Sequence, residues 1–143
     1  MTYYKKYAER HAPKSPLLSD CARAFVFGGA ICAAGEGLKN AYVALGMNKE
    51  DSSLACSVTL IVAAVVLTGL GVFDSVARVA GAGVLVPITG FANAVAAPAI
   101  DSKTEGYVTG VGAKVFSVAG PVILYGVTSG ALYGAVYILT KHL

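Results

Sequence analysis

The chain has 143 residues, enough for one domain, and a formal net charge of +3. It is 56% hydrophobic and only 13% charged, whereas ordinary soluble domains carry about 25% charged residues. Too little polar chain remains to cover a soluble core, so composition argues against a soluble enzyme and predicts an all-α, polytopic membrane helix bundle.

The first 20 residues differ from the rest in being basic and rich in tyrosine. We treat residues 1–20 as a basic amphipathic arm and residues 21–143 as the transmembrane helical domain. A short helix is predicted from Tyr3 to His11, because Pro13 ends it. Two interpretations of the arm stay open: a surface helix that contacts anionic lipid or a partner subunit, or a solvated leader that only orients the protein.

The remaining chain divides into about four hydrophobic segments. The first is predicted over residues 22–46, although Glu36 and Lys39 interrupt it. The other three contain uncharged runs of 20, 22 and 26 residues, at 54–73, 79–100 and 115–140. A helix that crosses the hydrocarbon core of a bilayer needs about 20 apolar residues, so all three runs are long enough.

Proline and glycine predict breaks in the third and fourth segments. Pro87 lies in the middle of residues 79–100, where it removes a backbone hydrogen bond and clashes with the preceding turn. We therefore expect two half-helices there, with Gly81, Gly83 and Gly90 near the break. The fourth segment, about 106–141, is too long for one perpendicular helix, and a second break is predicted at Gly120 and Pro121.

Glycines also mark a predicted packing face in the last segment. Gly126, Gly130 and Gly134 are spaced by four residues, the small-xxx-small pattern that lets membrane helices approach closely. We expect this face to contact another helix.

The distribution of charge predicts a topology. Residues 1–23 hold five basic and two acidic groups, and the turns at 49–51 and 101–105 are each net −1. Four crossings with both termini on the cytoplasmic side satisfy the positive-inside rule. A third or fourth segment that re-enters the membrane would change this count.

Charged residues within the segments are candidates for function, because a charge at mid-bilayer costs about 2.5 to 3.5 kcal/mol on insertion scales. Glu36 and Lys39 are spaced to meet on one helix face. They form either a self-satisfied pair near an interface or part of a wet pathway. Lys114 has the same two alternatives, a side chain that reaches the interface or a pore group.

The break at Pro87 is the second candidate site. Half-helices direct positive dipole ends into a bundle, where anionic carboxylates bind in transport proteins. Thr89 and Asn93 lie one turn apart and offer hydrogen bonds there. The alternative is a kinked packing helix, since glycine and proline are frequent in membrane helices. We find no catalytic or ligand cluster, and we expect no enzyme activity, no cofactor, no metal and no nucleic-acid partner.

Several runs together resemble the SpoVA family of spore-forming bacteria. The N-terminal part of the resemblance lies at Pro13–Pro16, Ala24–Phe25, Gly28–Gly29, Ile31–Cys32 and Gly35–Glu36. The remainder lies at Leu70–Gly71, Asp74, Gly81–Gly83, Val86–Asn93, Ser102–Gly106 and Ala119–Val122. The Pro-Ile-Thr-Gly-Phe-Ala-Asn run is the most specific. At position 36 members of the family usually carry Gln, whereas this chain has Glu.

The resemblance implies a subunit of a channel in the spore inner membrane. Such a channel moves dipicolinic acid (pyridine-2,6-dicarboxylate) and its calcium chelate into the developing spore and out at germination. The resemblance also implies association with the soluble AD subunit and the membrane AE subunit, and gating by membrane tension. A single four-span bundle is barely wide enough for a wet lumen, so we expect several subunits to form the pore.

Two other functions stay open at this stage. One is a membrane scaffold that recruits a soluble partner through residues 1–20 or the loops, with conduction done elsewhere. The other is a small secondary carboxylate transporter that uses Glu36 as a proton-coupled carboxyl. A channel shows unitary conductance, a transporter shows saturable flux, and a scaffold shows neither.

Overall fold

The computed structural model describes Tyr7 and residues 16–141, which are mostly helical with no strand among them. The α-helices are α1 (Leu17–Ala44), α2 (Lys49–Gly69), α3 (Val72–Ala80), α4 (Ala82–Leu85), α5 (Ile88–Asp101) and α6 (Ala113–Lys141). A 3₁₀ turn (Ser102–Glu105) and a π-helical segment (Tyr107–Gly112) join α5 to α6. The predicted all-α membrane helix bundle is confirmed.

Helix α1 begins within the predicted arm. Its first residue is Leu17, so residues 17–20 are helical and continuous with the first span. The short helix predicted from Tyr3 to His11 lies outside the described residues apart from Tyr7.

Helices α1 and α2 form an antiparallel pair. The Asn48 side chain caps α2 by accepting a hydrogen bond from the backbone N–H of Asp51, at 2.8 Å. Farther along, the Cys56 thiol donates to the carbonyl oxygen of Gly35 over 3.2 Å. A direct polar contact of 2.8 Å also joins the hydroxyl groups of Tyr42 and Thr59.

Three helical stretches in the described part of the chain are long and apolar enough to cross a membrane: Leu17–Ala44, Lys49–Gly69 and Tyr107–Lys141. The third predicted segment is different, because it is divided among α3, α4 and α5. Even α5, with 14 residues, is only about 21 Å long, against about 30 Å for the hydrocarbon core. Three of the four predicted segments thus contain a helix long enough to cross a membrane, the third is broken, and the prediction of about four spans stays a prediction.

The broken segment folds back along the first two helices. Helix α4 packs against α1, and α3 contacts both α1 and α2. Helix α5 then packs along α2 in the opposite direction, since Asn93 near its start lies against Thr68 near the end of α2. A small core forms at this junction from Ala64, Phe73, Ala80, Val84 and Ala92.

Three glycines permit this path. Gly81 has a φ of +54° where α3 ends and α4 begins. A Cβ on Gly83 would overlap the carbonyl oxygen of Ala24 and lie 2.9 Å from the backbone nitrogen of Gly28. A Cβ on Gly90 would overlap the carbonyl group of Leu85. The chain leaves its helix at Leu85 and resumes it at Ile88 after Pro87, which is the site of the predicted break.

The last segment does not break where we expected. Helix α6 runs continuously through Gly120 and Pro121, so the predicted interruption there is wrong. A proline inside a membrane helix is tolerated when small local adjustments satisfy the carbonyl that it leaves free. The irregularity lies instead in the π-helical turn before α6, where the N–H of Val111 bonds to the carbonyl of Gly106 over 3.0 Å.

The second half of α6 has little packing within the chain. Its residues 121–141 are exposed, apart from the half-buried Gly134. A Cβ built on Gly126, Gly130 or Gly134 would meet nothing within 4 Å. The role of these glycines in helix packing therefore stays a prediction. A helix that packs against them has to come from outside the described part of the chain.

The close approach of α4 to α1 predicts that Gly83 is essential for stability. Gly83→Ala should lower the free energy of unfolding by about 1 to 3 kcal/mol, the usual cost of overpacking, because a backbone carbonyl has to move. Thermal unfolding of the detergent-solubilised protein measures the effect. Gly29→Ala is the matched control, since its new Cβ meets nothing within 4 Å. Equal melting temperatures for the two variants would contradict the proposed role of Gly83.

Candidate functional site

Thr89 forms a hydrogen bond across the break between α4 and α5. Its side chain is buried, and its hydroxyl donates to the carbonyl oxygen of Val84 over 3.1 Å. This bond satisfies a carbonyl in the last turn before the break. In the first turn of α5, Thr89 and Gly90 are buried, whereas Ile88 at its first position is exposed. The amino end of α5, where the backbone dipole provides partial positive charge, is therefore partly enclosed by the protein.

Asn93 joins α5 to α2. Its Oδ1 atom lies 2.8 Å from the hydroxyl oxygen of Thr68, which is also 2.8 Å from the carbonyl oxygen of Ala64. A hydroxyl has one proton, so Thr68 donates to one of these oxygens at a time. Thr89 and Asn93 thus both form hydrogen bonds within the chain, and their roles as pore residues stay predictions.

Glu36 and Lys39 form the ion pair that their spacing predicted. The Lys39 Nζ atom lies 3.5 Å from Glu36 Oε2, with side chains 36% and 61% exposed, respectively. The neighbouring Gly35 contacts Cys56, which is two turns from the start of α2. The pair thus lies in the half of α1 nearer the α1–α2 loop, which favours the interpretation of a self-satisfied pair that reaches the interface.

Lys114 lies apart from these groups. It is an exposed residue in the first turn of α6, and no carboxylate in the described part of the chain forms an ion pair with it. The structure does not bring Lys114 together with Glu36, Thr89 or Asn93.

Two cavities lie at the broken segment. An apolar cavity of about 330 Å³ is lined by residues of α1 and α2 on one side and of α3 and α4 on the other. A second cavity of about 400 Å³, which we call the arginine cavity, is lined by Arg23 and Asp20 from α1 and by Arg78 from α3. Arg78 also pairs with Asp74 over 2.7 Å.

Sequence reasoning missed the arginine cavity. In the sequence, Arg23 is one of the five basic groups of residues 1–23, and Arg78 is a charge between the uncharged runs 54–73 and 79–100. The pairing of Asp74 and Arg78 at a spacing of four was visible, but the approach of α3 to the beginning of α1 is a long-range contact that no local pattern indicates.

The Glu36–Lys39 pair predicts unequal effects of removing its members. Glu36→Gln should change membrane abundance little, because it removes a charge and leaves Lys39 able to reach the interface. Lys39→Ala should lower abundance more, since it leaves a carboxylate without its partner in a membrane helix. Quantitative immunoblots of isolated membranes measure both.

If Glu36 lies on a conduction path, Glu36→Gln should instead raise the efflux of a dianion without changing abundance. An abundance lower for Glu36→Gln than for Lys39→Ala would contradict the interpretation of a self-satisfied pair.

Comparison with known proteins places the chain among sporulation proteins. Residues 20–136 match the model of the family described as SpoVAC/SpoVAEB sporulation membrane protein. The chain is 40% identical over 134 residues to stage V sporulation protein AC of Bacillus subtilis (strain 168), covering 93% of this chain and 89% of that protein. No solved structure matches the chain. With three helices able to cross a membrane, the chain belongs to the SpoVAC/SpoVAEB family of sporulation membrane proteins.

Proposed function

We propose that this chain is a subunit of the assembly that moves dipicolinic acid and its calcium chelate across the spore inner membrane. The assembly loads the forespore during sporulation and empties the spore at germination. Both termini lie on the side of the spore core, and the soluble AD subunit and the membrane AE subunit complete the assembly. Family membership and the membrane-spanning helices support this proposal.

The observation that carries the proposal is the amino end of α5 at the break before Ile88. Transport proteins bind anionic carboxylates at half-helix N-termini near the centre of the membrane. Here Pro87 ends one helical path, and α5 begins at Ile88, which is exposed, while the next two residues, Thr89 and Gly90, are buried. A dianion that passes this point meets the positive end of a helix dipole.

The pore itself lies between subunits. The cavity between α1, α2 and α3–α4, and another between α2, α5 and α6, are lined almost wholly by apolar side chains. A dianion loses its hydration in such a space without gaining polar partners. The exposed second half of α6 and the exposed face of α1 at Glu36 provide surfaces against which further subunits can pack.

Replacement of Pro87 tests the proposal. Pro87→Ala restores a backbone N–H and favours a continuous helix from α4 into α5. We expect spores with this variant to hold less dipicolinate and to release it more slowly, by about tenfold or more if positioning of the helix end is lost. Dipicolinate fluorescence with terbium, normalised to membrane abundance of the chain, measures both quantities.

Pro98→Ala is the matched control, because Pro98 lies within α5 rather than between two helices. It should leave dipicolinate content and release close to wild type. If Pro87→Ala reduces abundance and dipicolinate in equal proportion, Pro87 serves folding alone, and α5 loses its proposed role.

A further inference from the structure

The apolar cavity has the properties of a binding site for hydrocarbon. Its volume of about 330 Å³ lies at the lower end of the range for small-molecule sites, about 300 to 1,000 Å³. It is lined by Phe27 and Ile31 of α1, Leu67 of α2 and Phe73 of α3. It stays open at one side, where the small side chains of Ala30, Ala34 and Ala63 are exposed.

The cavity offers no hydrogen bond to a polar ligand. The only side chain in its lining with a polar atom is Thr89, whose hydroxyl proton already bonds to the carbonyl oxygen of Val84. An apolar space of this kind excludes water and accepts apolar molecules. In a membrane-spanning bundle, the apolar molecules available at an open side are the acyl chains of lipids.

The arginine cavity lies nearer the start of α1 and on the same face of that helix, because Arg23, Phe27 and Ala30 are spaced by four and three residues. Ala24 lines the arginine cavity and Phe27 lines the apolar cavity, so the two are about one helical turn apart on α1. On the other wall, Ala82 lines the arginine cavity and Val84 the apolar one. Cationic and apolar surfaces are thus adjacent, as are the phosphate and the acyl chain of a phospholipid.

The charges at the arginine cavity favour an anionic headgroup. Arg23 forms no ion pair with any described carboxylate, although Asp20 lines the same cavity. Arg78 is held by Asp74 but keeps further N–H donors, since a guanidinium has five. Arginine binds phosphate through its planar array of donors, and basic groups at a membrane surface attract anionic lipid.

We propose that these adjacent cavities bind one anionic phospholipid. One acyl chain occupies the apolar cavity, and the phosphate contacts Arg23 and Arg78 at the arginine cavity. This bound lipid fills the space between the first two spans and the broken segment. The proposal rests on the cavities alone and does not depend on what the assembly transports.

Tryptophan fluorescence in vesicles tests the proposal, because the chain contains no native tryptophan. Phe27→Trp places a single fluorophore in the lining of the apolar cavity. Phe116→Trp is the control, since Phe116 is 70% exposed on α6 and lines neither cavity. Each variant is reconstituted in phosphatidylcholine vesicles that contain increasing fractions of brominated phosphatidylglycerol or brominated phosphatidylcholine, which quench tryptophan on contact.

For Phe27→Trp, we expect half-maximal quenching at a mole fraction of brominated phosphatidylglycerol about fivefold lower than the mole fraction of brominated phosphatidylcholine that is needed. A fivefold preference corresponds to about one basic contact with an anionic lipid at the membrane surface. Phe116→Trp should show no such preference. If Phe27→Trp does not accumulate, Val76→Trp reports on the same cavity from α3. Equal curves for the two lipids at the cavity position would overturn the proposal, as would an absence of quenching, which would mean that protein fills the space.

Two further variants test the headgroup contact. In the Phe27→Trp background, Arg23→Gln with Arg78→Gln should abolish the preference for phosphatidylglycerol. Lys49→Gln with Lys103→Gln removes the same charge from exposed positions outside the cavities and should leave the preference intact. Inorganic phosphate should not relieve quenching. Relief by dipicolinate would assign the arginine cavity to the transported anion and would overturn the lipid proposal.

Discussion

Backbone N–H and carbonyl groups inside a bilayer have no water to bond, so a helix break at that depth has to be enclosed by protein. The segment from Gly81 to Gly90 meets this constraint on its inner side through close backbone contact, whereas Leu85, Val86 and Ile88 are exposed. Gly83 packs against the backbone of α1 at Ala24 and Gly28, and Thr89 bonds to the carbonyl of Val84. The rest of the bundle depends on this enclosure, because it fixes where α5 begins and how far α3 lies from α1.

The enclosure has consequences for both proposals. It fixes the position of the amino end of α5, where we propose that a carboxylate binds, and it leaves an apolar space between the spans and α3. It also uses the inner faces of α1 and α2, so Glu36 of α1 faces outward. Gly130 of α6 is exposed as well. The proposed pore between subunits and the proposed lipid within each subunit both rest on this packing.

Sequence patterns predicted the features that depend on local chemistry. The uncharged runs predicted membrane helices, Pro87 with its flanking glycines predicted the break, and spacing predicted the Glu36–Lys39 pair. The break at Pro121 was wrong because a proline alone does not interrupt a long apolar helix. The contact of Gly83 with α1 and the approach of Arg78 to Arg23 are tertiary, so a single sequence carries no periodic signal for them.

The central claim is that this chain contributes an essential broken segment to a multi-subunit dipicolinate pore. The most direct measurement is dipicolinate efflux from liposomes that contain the AD and AE subunits with and without this chain. We predict rapid efflux only when the chain is present, and slow efflux from liposomes that contain the chain by itself. Equal efflux with and without the chain would contradict the claim.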